Sequence, residues 1–485
     1  MSNIKKNFIY NISYQILILI IPFITTPYVA RVLGADGVGT YSYTYSIAYY
    51  FMTFALLGIN SYGNRLIAKV REDKEKMSKE FFSLYSLQII TSVIMIVLYY
   101  VYIIIFEKEY LKIAIIQSIY VWSAIFDINW FFQGLEKFKL IVVRNAFIKL
   151  ISLIAIFIFV KNSEDLWKYV LILALGTLCS QLILHNFLRK YIKFTKFNFN
   201  DIKKHIKLVL VLFVPVIAIT FYKVMSKIML GNLSTITEVG YYENAEKVIN
   251  VPISIITAIG TVMLPSVSNL ISKGEEKKVE EYLYKMTKFI YFLVIPMSLG
   301  IILISDNFVN LYLGSDFAKS SMVLKILAIS MIFSSTANVL RTQYLIPKEK
   351  DKGYVVSVIL GAIVNLVFNI IFIKLWNSTG AALATLMAEV TVAISQLLYV
   401  KKKIRVKEIL TSSIKYILIS LIMFVVCMLY NILNLHAAVE LILQIVTGII
   451  IYMIILFIAK DEFIIEIINK IKKTIFLREE AKERG

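Results

Sequence analysis

Apolar residues in this chain gather in blocks of about twenty, cut by short polar stretches. A helix of twenty residues rises about 30 Å, the thickness of a hydrocarbon core. Read at that length, the sequence predicts fourteen spanning helices, at 8–33, 41–64, 82–106, 113–133, 142–160, 167–188, 208–231, 240–271, 289–313, 321–345, 354–376, 380–400, 409–434 and 437–459. The connecting stretches are too short for a soluble domain. At the start, MSNIKKNFIY, two lysines lead into a long apolar stretch with no small-residue cleavage site, which reads as the first span rather than a cleavable signal. The charged tail, 460–485, contains EFIIEIINKIKKTIF and is expected to lie as an amphipathic helix on the cytoplasmic surface, drawn to anionic lipid by its lysines.

The basic residues test this count. With the N-terminus in the cytoplasm, the inner stretches hold 41 Lys and Arg and the outer ones 7, while Lys223, Lys227, Lys247 and Lys325 fall within spans. Miscounting one helix would put later loops on the wrong side and destroy the alternation, so the pattern predicts fourteen spans with both termini inside. The net charge of +20 then reports orientation in a membrane rather than binding to nucleic acid. Composition agrees: 59% of residues are hydrophobic and 17% charged, against about 45–50% and 25% in soluble chains. Cys179 and Cys427 lie inside apolar segments, and His185, His205 and His436 are far apart, so neither a disulfide framework nor a metal site is expected.

The sequence also repeats itself weakly. Leu33-Gly34 precedes Val38-Gly39-Thr40-Tyr41 at the junction of the first two spans, and Leu230-Gly231 precedes Val239-Gly240-Tyr241-Tyr242 at the junction of the seventh and eighth. Both preceding spans carry a proline, Pro22 and Pro215. Six spans separate the copies, so both have the same orientation. This implies a parallel repeat of six helices, with the last two spans appended.

Enzyme signatures are missing: there is no phosphate-binding G-x-x-x-x-G-K-[ST] loop and no H-E-x-x-H. A two-fold repeat around a cavity suits a transporter. The informative side chains are ionisable groups at membrane depth, each costing about 2.5–3.5 kcal/mol on insertion scales. Lys223 and Lys227 share a face of the seventh span, and Glu243, Glu246 and Lys247 lie at similar depth in the eighth. Together they read either as a cationic wall for an anionic substrate or as a salt-bridged cluster pinning two helices. Arg31 at an outer helix end reads as a phosphate ligand or a snorkelling arginine. Lys149, two turns into its helix, reads as a cavity residue. Asp127 is open to three readings: a partner for Lys149, a site for a coupling H+ or Na+, or a hydrogen-bonded structural acid. Arg65, Arg144 and Arg341 stand at inner helix ends, as gate or lipid-headgroup contacts. No partner is assigned to Lys325, and no cofactor is expected beyond a coupling ion.

Four stretches carry a resemblance: YNISYQILILIIPFITTPYVARVLGADGVGTYSYTYSIAYYF, DINWFFQGLEKF, KIMLGNLSTITEVGYYENAEKV and LRTQYLIP. They resemble the bacterial oligosaccharide and polysaccharide-repeat flippases (Wzx-type) of the multidrug/oligosaccharidyl-lipid/polysaccharide exporter (MOP) superfamily. The family pattern often has an acid just before the lysine of the third motif, where this chain has Ser226. The resemblance implies an all-α polytopic fold, with a six-helix bundle at 1–207 including its cytoplasmic linker, a second bundle at 208–408, two appended helices at 409–459 and a tail at 460–485. It implies a flippase that moves an undecaprenyl-diphosphate-linked glycan from the inner to the outer leaflet of the bacterial cytoplasmic membrane by alternating access. Polysaccharide polymerase and export proteins would then be partners. A teichoic-acid-chain or peptidoglycan-precursor flippase and a MATE-like drug/cation antiporter stand as alternatives. An antiporter of cationic drugs calls for an acidic cavity, whereas basic groups here are at least as numerous as acids.

Overall fold

The computed structural model describes residues 3–401, 406–433 and 435–466, with side chains from residue 20 onward except at 222, 223, 261, 262, 406, 407, 409, 410 and 412. The amphipathic tail expected at 460–485 therefore lies mostly outside the described residues. Among these residues there is no strand. In chain order the helices are α1 (Asn3–Leu56), α2 (Ile59–Val70), α3 (Lys74–Phe106), α4 (Leu111–Ser123), α5 (Asn129–Gly134), α6 (Phe138–Phe159), α7 (Leu166–Leu188), α8 (Phe199–Leu233), α9 (Ile236–Ser272), α10 (Glu276–Tyr312), α11 (Lys319–Leu340), α12 (Asp351–Val400), α13 (Val406–Met428) and α14 (Ala437–Ile458). Eleven helical stretches among the described residues are long and apolar enough to cross a membrane.

The fourteen predicted spans are recovered because two helices are double. In α1 the regular path breaks at Gly34, whose φ of 68° suits glycine. Ile21 and Tyr45 would be about 36 Å apart along a straight helix, yet both line one cavity, so the chain doubles back at Gly34. In α12 the break falls at Trp376 and Asn377, where Asn377 has φ 50°. A Cβ on Gly380 would sit 1.9 Å from the carbonyl oxygen of Phe372, so this turn closes only around a glycine. One predicted boundary moves: the span written as 41–64 stops at Leu56, and α2 starts after Gly58, where a Cβ would lie 2.4 Å from the Val209 carbonyl oxygen.

By packing, the chain divides into two compact units, Met1–Val248 with Val358–Ala388, and Ile249–Ser357 with Glu389–Gly485. This partition differs from the expected one at 207/208, because α8 and the start of α9 pack within the first unit. The first unit is built on a buried aromatic cluster of Phe81, Trp130, Phe131 and Phe132 together with Ile59, Ile67 and Leu84. Trp130 donates to Gln88 Oε1 at 3.0 Å, and Gln88 donates to the carbonyl of Ala124 at 2.7 Å, satisfying the backbone where α4 ends. The second unit packs α10 against α11, α13 and α14 over Val294, Ile295, Leu340, Tyr416 and Leu456. There Tyr452 donates to the carbonyl of Phe292 at 2.8 Å, and the fully buried Asp461 accepts from Lys415 at 2.7 Å and Tyr416 at 3.2 Å.

Large apolar side chains also face outward in continuous stripes, such as Ile90, Val93, Ile94, Val97, Val101 and Ile104 on α3 and Ile442, Val446, Ile449, Met453 and Phe457 on α14. In water such patches would be aggregation surfaces, but in a bilayer they are the solvated face. The protein is a multi-pass membrane protein.

The sequence echo is a contact. A Cβ on Gly39 would lie 1.9 Å from the Ile236 carbonyl oxygen, and one on Gly240 would lie 2.1 Å from the Ala35 carbonyl oxygen. The pairing is reciprocal and keeps one offset of 201 residues, which also joins Ser42 to Glu243 and Asp36 to Thr237 by hydrogen bonds. Such a self-complementary arrangement is the signature of a two-fold axis, and it runs through the seam between the two copies.

Candidate functional site

Below this seam the first unit encloses a cavity of about 490 Å³. Its walls come from both arms of α1, from α4, α6 and α7, and from α8 and the start of α9. Pro22, Thr25 and Thr26 border it on the first arm of α1, and Tyr41 and Tyr45 on the second. On α6 the cavity surface is Arg144, Asn145, Ile148, Lys149 and Ser152, which recur at three- and four-residue intervals on one helix face. Helix α7 comes close there because Gly176 leaves room: a Cβ would lie 2.8 Å from Ser152 Oγ.

Among the described residues four cations line this cavity, Arg144, Lys149, Lys227 and Lys247, against one carboxylate, Glu243. Three of the four have protein partners. Lys227 Nζ lies 2.6 Å from Glu243 Oε2 and 2.7 Å from Glu246 Oε2, while Lys247 Nζ lies 3.2 Å from Glu243 Oε1. The salt-bridged cluster of the second sequence reading forms, and it stands in the cavity wall. Arg144 donates to Asn129 Oδ1 at 2.9 Å and to Asn145 Oδ1 at 2.6 Å. Lys149 is half-buried and has no ion-pair or hydrogen-bond partner among the described residues. Asn244, 1% exposed, also lines the cavity, with its Nδ2 unpartnered among the described residues.

Asp127 does not pair with Lys149. The chain leaves its helix at 124–128, which aims the Asp127 carboxylate at the start of α5. There Oδ1 accepts from the Asn129 backbone N–H at 3.0 Å and from its side-chain amide at 2.7 Å. Asn129 in turn reaches Gln181 at 3.1 Å and Arg144. Asp127 thus steadies Arg144 at one remove and does not itself line the cavity. Asp127→Asn, which keeps an acceptor, is expected to leave the melting temperature near the parent's. Asp127→Ala should lower stability by about 1 kcal/mol, as the loss of a helix-start acceptor does, which thermal unfolding in detergent would measure.

The other sequence candidates are placed elsewhere. Arg31 and Arg65 are exposed and away from this cavity. Arg341 belongs to the second unit, on a π-helical turn at Arg341–Leu345, with its guanidinium 5.6 Å from the centre of the Tyr354 ring. Lys223 lies outside the described side chains. Lys325 pairs with Asp306 at 2.7 Å. Ser226, at the position where the family pattern often has an acid, donates to Asn365 at 3.3 Å and accepts from Asn369 at 3.0 Å.

Sequence reading missed the tyrosines. Tyr41, Tyr45, Tyr120 and Tyr169 all line the cavity, and their rings touch: Tyr41 to Tyr45 at 5.7 Å, Tyr41 to Tyr169 at 5.0 Å and Tyr45 to Tyr120 at 4.9 Å between centroids. The signal was the four-residue spacing of Tyr41, Tyr45 and Tyr49, masked by the abundance of tyrosine in the chain (30 residues). Nearer the outer junction, Tyr43 donates to Glu107 at 2.9 Å, and burial holds the Glu107 carboxyl above its ordinary range.

Comparison with known proteins agrees with this architecture. A putative O-antigen transporter of Shigella dysenteriae is 26% identical over 387 residues, covering 78% of this chain and 96% of that protein. The capsular polysaccharide biosynthesis protein CapF of Staphylococcus aureus is 23% identical over 407 residues, 82% of this chain and 99% of that one. Among solved structures, the lipid II flippase MurJ in its inward closed conformation superposes with a TM-score of 0.78 at 18% identity, over 94% of this chain and 99% of that one, so the fold is shared. A model of the MatE family matches residues 212–371. The model of the polysaccharide biosynthesis protein family matches residues 4–271, more than half of the sequence, and the chain belongs to that family.

Proposed function

We propose that this protein is a flippase for a lipid-linked glycan, taking an undecaprenyl-diphosphate-linked repeat unit from the inner to the outer leaflet of the bacterial cytoplasmic membrane. The observation that carries the reading is Lys149: a cation kept at membrane depth, facing a cavity with a positive balance, with no group among the described residues to neutralise it. An anionic ligand group is what such a site lacks. A diphosphate beside Lys149 and Arg144 supplies it, and guanidinium geometry favours phosphate oxygens. The tyrosine wall suits the remainder, since an aromatic face with a polar edge offers contact to the C–H face of a sugar and a hydrogen bond to its hydroxyls. A volume of 490 Å³ is that of a site for one drug-sized group. It holds the diphosphate and a sugar or two, leaving the polyprenyl chain in the bilayer.

The family and the relatives support this reading, for they are named for O-antigen transport, capsular polysaccharide biosynthesis and lipid II flipping. The positive lining speaks against a cationic drug as cargo. The test is reconstitution in liposomes with labelled undecaprenyl-diphosphate-oligosaccharide in one leaflet. Protein-dependent appearance of label in the other leaflet is the expected result, and imposed H⁺ or Na⁺ gradients would identify the coupling ion. Movement of cationic dyes with no movement of the glycolipid would replace this reading with that of an antiporter.

A further inference from the structure

The Glu243 carboxylate belongs to two structures at once. Facing the cavity, it neutralises Lys227 at 2.6 Å and Lys247 at 3.2 Å. Facing the seam, the oxygen bound to Lys227 also accepts from Ser42 Oγ at 2.7 Å. Ser42 lies three residues after Gly39, and Glu243 three residues after Gly240, so this bond continues the reciprocal glycine contact by one helical turn. Asp36 with Thr237 and Tyr43 with Asn232, at 3.2 Å, are further polar ties between the two copies, and at Gly39 and Gly240 backbone packs on backbone.

We propose that Glu243 passes occupation of the cavity to the seam: a diphosphate that takes Lys227 and Lys247 from Glu243 releases Ser42 and lets the two glycine turns part. The proposal rests on the flippase reading of the same cavity. Its physical basis is competition for two ammonium groups. A diphosphate carries more charge than a carboxylate, and at equal distance attraction scales with charge. Lys149 and Arg144 give the anion its first hold, on α6, whereas the lysine pair stands on α8 and α9. When the lysines turn to the anion, Glu243 is left buried with its cations withdrawn and a second negative group nearby. Both effects drive the carboxylate away from its present place. The bond it then loses is the one to Ser42. A ligand shifts a conformational equilibrium only through unequal affinity for the two states, and this exchange supplies the inequality, because the lysines are free for the anion only when the seam bond is given up. A cluster that merely pinned α8 to α9 needs no hydroxyl from α1, yet that hydroxyl is present.

The test reads the seam directly. In the full chain with Cys179 and Cys427 replaced by serine, Asp36→Cys and Thr237→Cys place a thiol pair across the seam, and disulfide formation in liposomes reports its closure. Inorganic pyrophosphate and undecaprenyl diphosphate are the two probes, with binding measured in parallel by tyrosine fluorescence. The expected result is a fall of at least threefold in disulfide yield when a diphosphate binds. Response to pyrophosphate shows that the headgroup alone suffices, and response to the lipid alone shows that its chain is needed to seat it. Glu243→Gln, and separately Ser42→Ala, which leaves every ion pair in place, should give a low yield that no longer depends on the probe. Ser42→Ala keeps the test decisive if Glu243→Gln does not fold. Binding with an unchanged yield overturns the coupling while leaving the flippase reading intact. A Ser42→Ala protein with the parent's full response also overturns it. Failure of both diphosphates to bind overturns the coupling and the flippase reading together.

Discussion

Gly39→Ala and Gly240→Ala are each expected to cut glycolipid translocation at least tenfold and to lower the melting temperature in detergent. One methyl group is added in each case, and helix propensity alone favours alanine by about 1 kcal/mol. The sign reverses because the new Cβ would meet backbone: 1.9 Å from the Ile236 carbonyl oxygen at position 39, and 2.1 Å from the Ala35 carbonyl oxygen at position 240. A flexible side chain could turn aside from the methyl, but a carbonyl within a helix moves only with its helix. Overpacking of this kind costs about 1–3 kcal/mol, and the seam must part by more than an ångström to absorb it. Parting removes the Ser42–Glu243 bond of 2.7 Å on the same turn. Because the contact is reciprocal, the two substitutions should resemble each other, and combining them should add little once the seam has opened, since neighbouring sites sharing one contact are not additive. Gly300→Ala in α10 is the control. Nothing lies within 4 Å of its Cβ, so stability should hold or rise slightly. Parental translocation rates in both seam variants would show that the glycine contact is not needed for transport.

The seam shows what was legible in the sequence and where legibility ended. The number of spans could be read because twenty-residue apolar blocks and the sidedness of lysines are set by the bilayer, which acts on every segment alike. The Val-Gly echo could be read because each copy keeps its glycine for the same close approach. That the two copies touch each other could not be read, since a contact across 201 residues leaves no periodicity in either stretch. The same limit applies to the site. Lys149, Lys227, Lys247 and Glu243 stood out because charge within an apolar block is costly, and all four line the cavity. Asp127 stood out for the same reason, but its role depends on a helix break that turns it toward Asn129 and away from Lys149. Tyrosines carry no such penalty at membrane depth, so nothing in the composition separates the four that line the cavity from the others. The boundary at 207/208 followed from counting six helices per copy. Packing assigns α8 to the unit that contains the first copy because it lies against α1, α2 and α3.

Lys149→Met and Lys227→Met are expected to move stability in opposite directions while both reduce transport. A lysine within a span costs about 2.5–3.5 kcal/mol on insertion scales. For Lys227 that cost is offset by Glu243 and Glu246 at 2.6 and 2.7 Å. Removing it leaves Glu246 without an ion-pair partner among the described residues and Glu243 with Lys247 as its one cation, and breaking one side of a buried pair destabilises by about 3–5 kcal/mol, so Lys227→Met should unfold at a markedly lower temperature. Lys149 has no partner among the described residues, and a methionine fills nearly the same volume without a charge. Its replacement should leave the melting temperature unchanged or higher. The loss appears instead in transport. A hydrogen bond to a charged group is worth about 1.5–3 kcal/mol, which corresponds to roughly a ten- to hundredfold fall in binding of the diphosphate headgroup at 1.4 kcal/mol per tenfold. Lys149→Arg, which restores the charge and adds a fork suited to phosphate, should recover most of the rate. The measurement is a melting curve beside a translocation assay for each variant at equal reconstituted abundance. A Lys149→Met protein that melts lower than the parent and still transports at the parental rate would make Lys149 a structural residue, and the cavity would lose the group that most calls for an anion.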